Sequence, residues 1–183
     1  MIVVKAFGPG LKCRGYQYHV GLNICEDANC VRNGFHAAED PLDCLDYYES
    51  FEKNEFWLCD AGGDMDMDSL DTKVSCTELT IIKRLDLLSY VLTCLRYMQA
   101  HPKRKRNKRV CTGRGEAFAN HFVIVEGDSD LGVMVAKGHR VGDVLGFLDK
   151  KDNQICVVIV SGKEVVPEKW YNQYGEEIED AEL

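Results

Sequence analysis

The chain has 183 residues, a length that suits one domain or one domain with a small appendage. Its apolar content of 45% is ordinary for a protein with a hydrophobic core, and no apolar run approaches the roughly 20 residues of a transmembrane helix. The first residues, MIVVKAF, lack the basic start and long apolar core of a signal peptide, so we expect a cytoplasmic protein. The net charge of −8 is unevenly distributed, so charged patches indicate partners better than the total does.

The first elements follow from turn signals and apolar spacing. Ile2 to Phe7 is a predicted strand that ends at a Gly-Pro-Gly turn. Asp40 is a good N-cap and Pro41 occupies the first helical position, which predicts a helix. Asp86 is predicted to cap a second helix that reaches about Ala100.

The segment between these helices is predicted to alternate between strands and a loop. Phe56 to Cys59 and Val74 to Leu85 are apolar enough for strands. Asp60 to Asp71 contains a Gly-Gly pair and five aspartates, which predicts a loop.

The C-terminal half is rich in short apolar runs. Gly115, Gly127 and Gly138 recur at nearly equal spacing, which fits a short β-solenoid, and the turn signals fit an antiparallel meander equally well. We therefore expect an α+β fold with two helices in its small N-terminal domain. The predicted organisation is a mixed, Cys-rich domain at 1–101, a basic linker at 102–115, a β-rich segment at 116–175 and an acidic tail at 176–183.

A concentration of thiols and imidazoles near the N-terminus predicts a metal site. The chain has nine Cys, an odd number, and clustered cytoplasmic Cys residues more often bind metal or pack as thiols than form disulfides. Zinc prefers four Cys or His ligands in a tetrahedron. The predicted ligands of a structural zinc are Cys13, Cys25, Cys30 and His36, with His19 and Cys44 in reserve. The alternative is that these are ordinary reduced Cys residues in a modest core.

Two charged segments suggest contacts with partners. The basic run predicts phosphate contacts with a nucleic acid through Lys103, Arg104, Lys105 and Arg106, or else a solvated loop between domains. The acidic segment lacks the order of an EF-hand loop, but its carboxylates could imitate a phosphate backbone and occupy a basic nucleic-acid channel. The predicted partner-binding residues are Asp60, Asp64, Asp66, Asp68 and Asp71.

Three segments together resemble the layout of ADP-ribosyltransferases. They are Arg14-Gly15-Tyr16, then Gly34-Phe35-His36-Ala37-Ala38 before a helix, and then Glu78. The resemblance implies that Arg14 holds a nicotinamide cofactor and that Glu78 activates the nucleophile. Because Ser or Thr normally begins the second segment, where this chain has His36-Ala37-Ala38, a degenerate and non-catalytic version of the fold is the alternative.

A longer resemblance covers Val4 to about Leu85. The phrases KAF, LKCRGYQYHVG, NGFHAAEDPLDCLDYY and DTKVSCTELTIIKRL resemble an uncharacterised domain common in phages and mobile elements of gut Firmicutes. A weaker resemblance runs from Gly113 to Tyr171 and includes Glu168-Lys169-Trp170-Tyr171. The resemblance carries no known activity, but it implies a small phage-borne accessory protein in the cytoplasm of the bacterial host.

In size, charge and implied origin, the chain is similar to anti-CRISPR inhibitors of the type II RNA-guided nuclease. That nuclease holds its guide–target duplex in a positively charged channel, which an acidic protein could block. We therefore expect a zinc-stabilised inhibitor, not an enzyme, that binds the CRISPR effector nuclease and prevents loading of target DNA. A phage structural or regulatory protein is a further alternative.

Overall fold

The computed structural model describes residues 1–30, 32–67 and 71–179 of the chain. The chain divides into two units, the first spanning Met1–Asp86 and the second beginning at Leu87. None of the helices in the described ranges is long and apolar enough to cross a membrane.

The first unit is built from antiparallel strands. Its elements are β1 (Ile2–Phe7), β2 (Lys12–Cys13), β3 (Tyr16–Gln17), β4 (Gly21–Ile24), β5 (Phe35–Ala38), a 3-10 helix (Pro41–Asp46), β6 (Glu55–Met67) and β7 (Lys73–Leu85). Five strands form a sheet in the order β4-β7-β5-β1-β6, and β6 also pairs with β7. The sheet therefore closes on itself through β7, β5, β1 and β6, and β2 and β3 form a separate hairpin.

The predicted strand at Ile2–Phe7 is confirmed as β1, which lies between β5 and β6. Because β1 is covered on both faces, every residue from Val3 to Phe7 is buried. Lys5 is one of these residues, with only 3% of its surface exposed. A lysine in such a strand needs a polar partner within the fold, since burying an unpaired amine is costly.

The predicted loop at Asp60 to Asp71 is wrong over most of its length, because β6 continues through it to Met67. Aspartate and glycine have low strand propensity, but here β6 pairs with β7 along nearly its whole length. The irregularity falls between Gly62 and Met65, where the register shifts as in a β-bulge and Gly63 takes a φ of 67°. Asp68 lies outside the described residues.

The helix predicted at Asp40-Pro41 is confirmed only as one 3-10 segment. The Asp40 carboxylate accepts a hydrogen bond from the Leu42 amide at 3.0 Å, as an N-cap does. Leu42 and Leu45 are fully buried, and their spacing of three residues suits the three-residue turn of a 3-10 helix.

The predicted α+β class, with two helices in an N-terminal domain, is therefore wrong. In the part of the chain that the structure describes, the one helix of seven or more residues is Leu87–Ala100, and it belongs to the second unit. The pattern after Asp86 did predict this helix, but strand pairing elsewhere makes the fold β-rich.

The second unit contains one helix and eight strands within its described range. They are α1 (Leu87–Ala100), β8 (Val110–Thr112), β9 (Arg114–Glu116), β10 (Phe122–Gly127), β11 (Val135–Lys137), β12 (Val144–Asp149), β13 (Gln154–Ile159), β14 (Trp170–Asn172) and β15 (Glu177–Ile178). Two four-stranded sheets form, with the orders β13-β12-β10-β8 and β15-β14-β11-β9. Strand β8 lies within the segment 102–115 that was predicted as a basic linker, and β9 overlaps the end of that segment.

From β8 to β12 the chain alternates between the two sheets, as in a solenoid. Strands β8, β10 and β12 are parallel, with Phe122 beside Val144, and β9 is parallel to β11, with Arg114 beside Val135. The later strands β13, β14 and β15 pair antiparallel. The second unit is thus a short solenoid that ends in antiparallel strands, which combines the two sequence-based alternatives.

Helix α1 packs against this solenoid. A Cβ placed on Gly146 in β12 would lie 2.8 Å from Val91 Cγ1 and 3.2 Å from Leu95 Cδ1, so the missing side chain permits the close approach. The buried side of α1 contains Tyr90, Val91, Cys94, Leu95 and Met98.

Candidate functional site

The first unit contains a cavity of about 640 Å³, within the usual size range of small-molecule sites. The residues that line it come from β1, the β2–β3 hairpin, the segment between β4 and β5, β5 itself, the segment around the 3-10 helix and the start of β7. The lining includes Lys5, Cys13, Arg14, Tyr16, Tyr18, Cys25, Cys30, Gly34, Phe35, His36, Asp43, Cys44, Tyr47, Tyr48, Asp71 and Lys73. The cavity is therefore the candidate ligand-binding site of this unit.

The hairpin between β2 and β3 places Arg14 on the wall of this cavity. Arg14 and Gly15 have φ values of 48° and 81°, which fits a tight two-residue turn of type I′. Such a turn prefers Asn or Gly at the position of Arg14, and a strained non-glycine residue often marks a functional position. The Arg14 guanidinium is exposed, so it is available to an anion in the cavity.

Aromatic rings form a second part of the wall. The rings of Tyr16, Tyr18 and Phe35 contact one another, with centroid distances of 4.6 Å, 5.4 Å and 5.2 Å. Tyr18 also packs edge-on against Phe7 at 5.0 Å. Such clusters offer ring faces and edges to a planar ligand.

Lys5 is the main feature of the cavity that sequence reasoning missed. Its amine donates to the His36 carbonyl oxygen at 2.5 Å, lies 3.9 Å from Cys13 Sγ and sits about 5 Å from the rings of Phe7 and Tyr18. No carboxylate in the described ranges forms an ion pair with it. Burial lowers the pKa of the amine, because a charged group loses its hydration there. A lysine inside the apolar run IVVKAF was the available signal.

The four predicted zinc ligands all line the cavity, but their donors do not form a metal cluster. Cys13 Sγ accepts a hydrogen bond from the Tyr48 hydroxyl at 3.0 Å, and the Cys30 thiol donates to the Asp66 carbonyl at 2.8 Å. The Cys25 thiol donates to main-chain carbonyls of other residues. Across residues 1–30, 32–67 and 71–179, no three His, Cys, Asp or Glu side chains stand where they could hold one ion. A structural zinc therefore stays a prediction.

Burial also changes the titration of these groups. It raises the pKa of Cys25 and raises that of Cys44, a reserve ligand, to about 12. The pKa of His36 is lowered, first by burial and then by the nearby charge of Lys5. At neutral pH these two thiols are therefore protonated and the imidazole is neutral.

The predicted partner-binding carboxylates have separate surroundings. Asp60 forms an ion pair with the N-terminal amine at 2.6 Å, and Asp66 accepts from the Cys30 amide at 2.9 Å. Asp71 accepts from the Lys73 amide at 2.8 Å and lines the cavity, whereas Asp64 is exposed on β6. Asp68 lies outside the described residues. The four described carboxylates do not form one exposed row that could imitate a phosphate backbone.

Two of the three segments of the ADP-ribosyltransferase layout meet at the cavity. Arg14 and Tyr16 come from the first segment, and Gly34 to Ala38 form the second. Glu78, the third, is exposed on β7 beside Ile24 and does not line the cavity. The structure therefore brings Arg14 and Gly34 to Ala38 to one cavity but does not place Glu78 beside them.

The predicted nucleic-acid contacts lie after α1 and differ in their surroundings. Lys103 and Lys105 are exposed, and Arg104 donates to the Tyr97 hydroxyl at 3.3 Å. Arg106 instead forms a 2.8 Å ion pair with Glu126 of β10 and donates to the His101 carbonyl at the end of α1. Arg106 thus connects the end of the helix to the solenoid.

Replacing Arg106 with Ala should destabilise the second unit by about 1–3 kcal/mol, because the largely buried carboxylate of Glu126 would lose its 2.8 Å partner and keep only the longer, 3.6 Å contact with Lys150. Urea unfolding followed by Trp170 fluorescence in a Trp57→Phe background measures the change. The matched control is Lys105→Ala, which removes an exposed charge of the same run. Equal, small effects of both variants would show that Arg106 has no structural role.

The second unit has a smaller cavity of about 370 Å³ beside His121 and His139. Its acidic neighbour, Asp143, is 1% exposed and accepts from the backbone amides of His139 and Arg140 at 2.8 Å and 3.1 Å. His121 Nδ1 lies 3.1 Å from the same carboxylate. These contacts fix the turn before β12, so we assign the cluster a structural role.

The comparisons with known proteins leave the function open. No curated protein and no solved structure matches the chain. Residues 1–93 match a family described as a domain of unknown function, DUF7666. This match covers half of the chain, including all of the first unit with its cavity, and the description names no activity. The chain therefore belongs to the DUF7666 family.

Proposed function

We propose that the first unit binds a small nucleotide-like ligand, with a planar ring and a negatively charged group, in its 640 Å³ cavity. The observation that carries the proposal is the presence, in one cavity wall, of an exposed guanidinium and a cluster of aromatic rings. Arg14 supplies the guanidinium, and Tyr16, Tyr18 and Phe35 supply the rings. Ligand sites commonly combine apolar walls with a few charged groups that fix orientation.

Charge in the cavity favours an anion near the hairpin. Arg14, Lys5 and Lys73 line the wall, and Lys73 lies near the ring of Tyr47. The two carboxylates of the lining already accept hydrogen bonds, Asp43 from Thr72 and Asp71 from the Lys73 amide. A phosphate could accept charge-assisted hydrogen bonds from the guanidinium of Arg14 in bidentate geometry.

Arg14→Gln should weaken binding of adenosine monophosphate or nicotinamide adenine dinucleotide about 10- to 100-fold, because hydrogen bonds to charged groups contribute about 1.5–3 kcal/mol. Isothermal titration of the full chain measures the dissociation constants. Arg84→Gln is the matched control, since Arg84 is an exposed arginine of the same unit outside the cavity lining. Equal losses in both variants, or no binding by the unaltered chain, would contradict the proposal.

An ADP-ribosyltransferase-like enzyme is the second candidate, favoured by the meeting of Arg14 and Gly34 to Ala38 at the cavity. The position of Glu78 away from the lining supports the degenerate, non-catalytic alternative. Release of nicotinamide from the dinucleotide, abolished in Glu78→Gln, would support the enzyme. Binding without release would support the ligand-binding unit alone.

Inhibition of the type II RNA-guided nuclease stays a prediction, and so do a phage structural or regulatory role and a location in the bacterial cytoplasm. The separate surroundings of Asp60, Asp66 and Asp71 do not strengthen the proposed imitation of a phosphate backbone. A target-cleavage assay with the purified nuclease, comparing the chain with its Asp60→Lys and Asp64→Lys variants, tests that role.

A further inference from the structure

The end of α1 and the loop after it form a strongly basic surface in the second unit. Residues 96–109 contain seven lysines and arginines and no Asp or Glu, although the whole chain has a net charge of −8. Lys103 and Lys105 are exposed on this surface. Glu126, a carboxylate of β10 that reaches the segment, already pairs with Arg106. The surface therefore attracts a polyanion.

Contacts with the end of α1 hold this loop in place. Its first turn closes with a hydrogen bond from the Arg104 amide to the His101 carbonyl at 3.1 Å. The Arg106 guanidinium then donates to the carbonyls of Met98 and His101 at 3.3 Å and 3.0 Å. The exposed lysines on either side of Arg104 thus extend from a fixed loop, whereas a loop that only joins two elements needs no such contacts.

Two stacked rings lie beside the basic loop. Tyr97 of α1 and His101, which follows the helix, have ring centroids 4.3 Å apart and ring planes inclined by 31°. The Arg104 guanidinium donates to the Tyr97 hydroxyl at 3.3 Å, so positive charge lies at the edge of the pair. His101 is exposed, so a further planar group can stack on it. Proteins that bind single-stranded nucleic acid combine such rings with cations that contact the phosphates.

We propose that the second unit binds single-stranded nucleic acid here, with a base stacked on His101 and the flanking phosphates on Lys103 and Lys105. A single strand fits better than a duplex, because its unpaired bases can turn outward and stack on a side chain. Arg106 positions the loop, since its guanidinium is engaged by Glu126 and the end of the helix. The sequence predicted phosphate contacts in this run, and the stacked rings add a site for a base. The inference does not depend on the cavity of the first unit.

The stacking contact is tested first. Fluorescence anisotropy of the full chain with a labelled, mixed-sequence RNA of about 12 nucleotides measures the dissociation constant, since single-strand sites span about 4–16 nucleotides. His101→Ala should weaken binding about 5- to 150-fold, the effect of losing one base–ring stack. His101→Phe keeps a ring and should restore most of the affinity. The DNA strand of the same sequence tells RNA from DNA, and both duplexes should bind more weakly than the preferred strand.

The phosphate contacts are tested by the salt dependence of binding. Changing both Lys103 and Lys105 to Gln should reduce the slope of log K against log salt by about 1.4, because each phosphate contact on a single strand contributes about 0.7. The matched control changes Lys163 and Lys169 to Gln. These are two exposed lysines of the same unit outside the basic run, and the variant has the same net charge.

Three results would overturn the proposal. The first is the absence of binding to either strand by the unaltered chain, and the second is an equal salt slope in the two double variants. The third is equal binding of single strands, duplexes and heparin with no effect of His101→Ala, which would leave a surface for polyanions in general. Circular dichroism of each variant shows that any loss of binding occurs in a folded protein.

Discussion

Gly34→Ala should destabilise the first unit by about 3–4 kcal/mol, which combines a steric clash with about 1 kcal/mol for an unfavourable backbone conformation. Gly34 has a φ of 88°, where a side chain is disfavoured. Its new Cβ would lie 2.9 Å from Ala28 Cα and would collide with the hydroxyl of Ser75. That hydroxyl is buried and donates to the Asn33 carbonyl at 2.7 Å, so moving it breaks a buried hydrogen bond.

Urea unfolding followed by Trp57 emission in a Trp170→Phe background measures this loss, since Trp57 is the one tryptophan of the first unit. The matched control is Gly10→Ala. Gly10 has a similar φ of 75°, but no atom beyond its chain neighbours lies within 4 Å of the position that a Cβ would take, so only the backbone cost should appear. If both variants lose the same free energy of unfolding, the clash at Gly34 is not real.

Trp170→Ala should destabilise the second unit by about 3–5 kcal/mol, the usual range for removing a large buried aromatic side chain. Trp170 is 4% exposed. Its ring lies under the guanidinium of Arg114 at 3.9 Å and the amine of Lys137 at 4.8 Å. Truncation would remove the apolar contacts and also the ring that both cations face.

Circular dichroism during urea unfolding gives the free energy, and hydrogen exchange of the α1 and β12 amides assigns the change to the second unit. Trp170→Phe is the control, because it keeps a ring with a weaker attraction for cations and should lose about 1 kcal/mol. A loss below about 1 kcal/mol for Trp170→Ala would mean that the ring of Trp170 and its contacts with Arg114 and Lys137 contribute little to the free energy of unfolding.

The sequence correctly predicted the elements that are determined by neighbouring residues, through apolar spacing and capping. The strand at Ile2–Phe7, the cap at Asp40 and the helix after Asp86 all appear where apolar spacing and capping residues indicated. The failure at Asp60 to Asp71 has a non-local cause. Pairing with β7 and a bulge at Gly62–Met65 keep β6 extended although its residues favour a loop. One strand's propensity cannot reveal the partner that overrides it.

The candidate site was predictable in part. Its Cys and His residues were recognised as neighbours, and the structure does place Cys13, Cys25, Cys30 and His36 around one cavity. Their chemistry was not predictable, because each thiol has a different hydrogen-bond partner in a distant part of the chain. Lys5 was overlooked because its burial depends on residues outside β1, including the His36 carbonyl and the ring of Tyr18, which lie against its amine.

The most direct test of the ligand-binding proposal is a nuclear magnetic resonance titration of the isotope-labelled full chain with adenosine monophosphate. The proposal predicts saturable shifts of the backbone amides of Arg14 to Tyr18 and Phe35 to Ala38, which border the cavity. Shifts confined to the basic run at Lys103 to Arg109, or no saturable shifts at all, would contradict it.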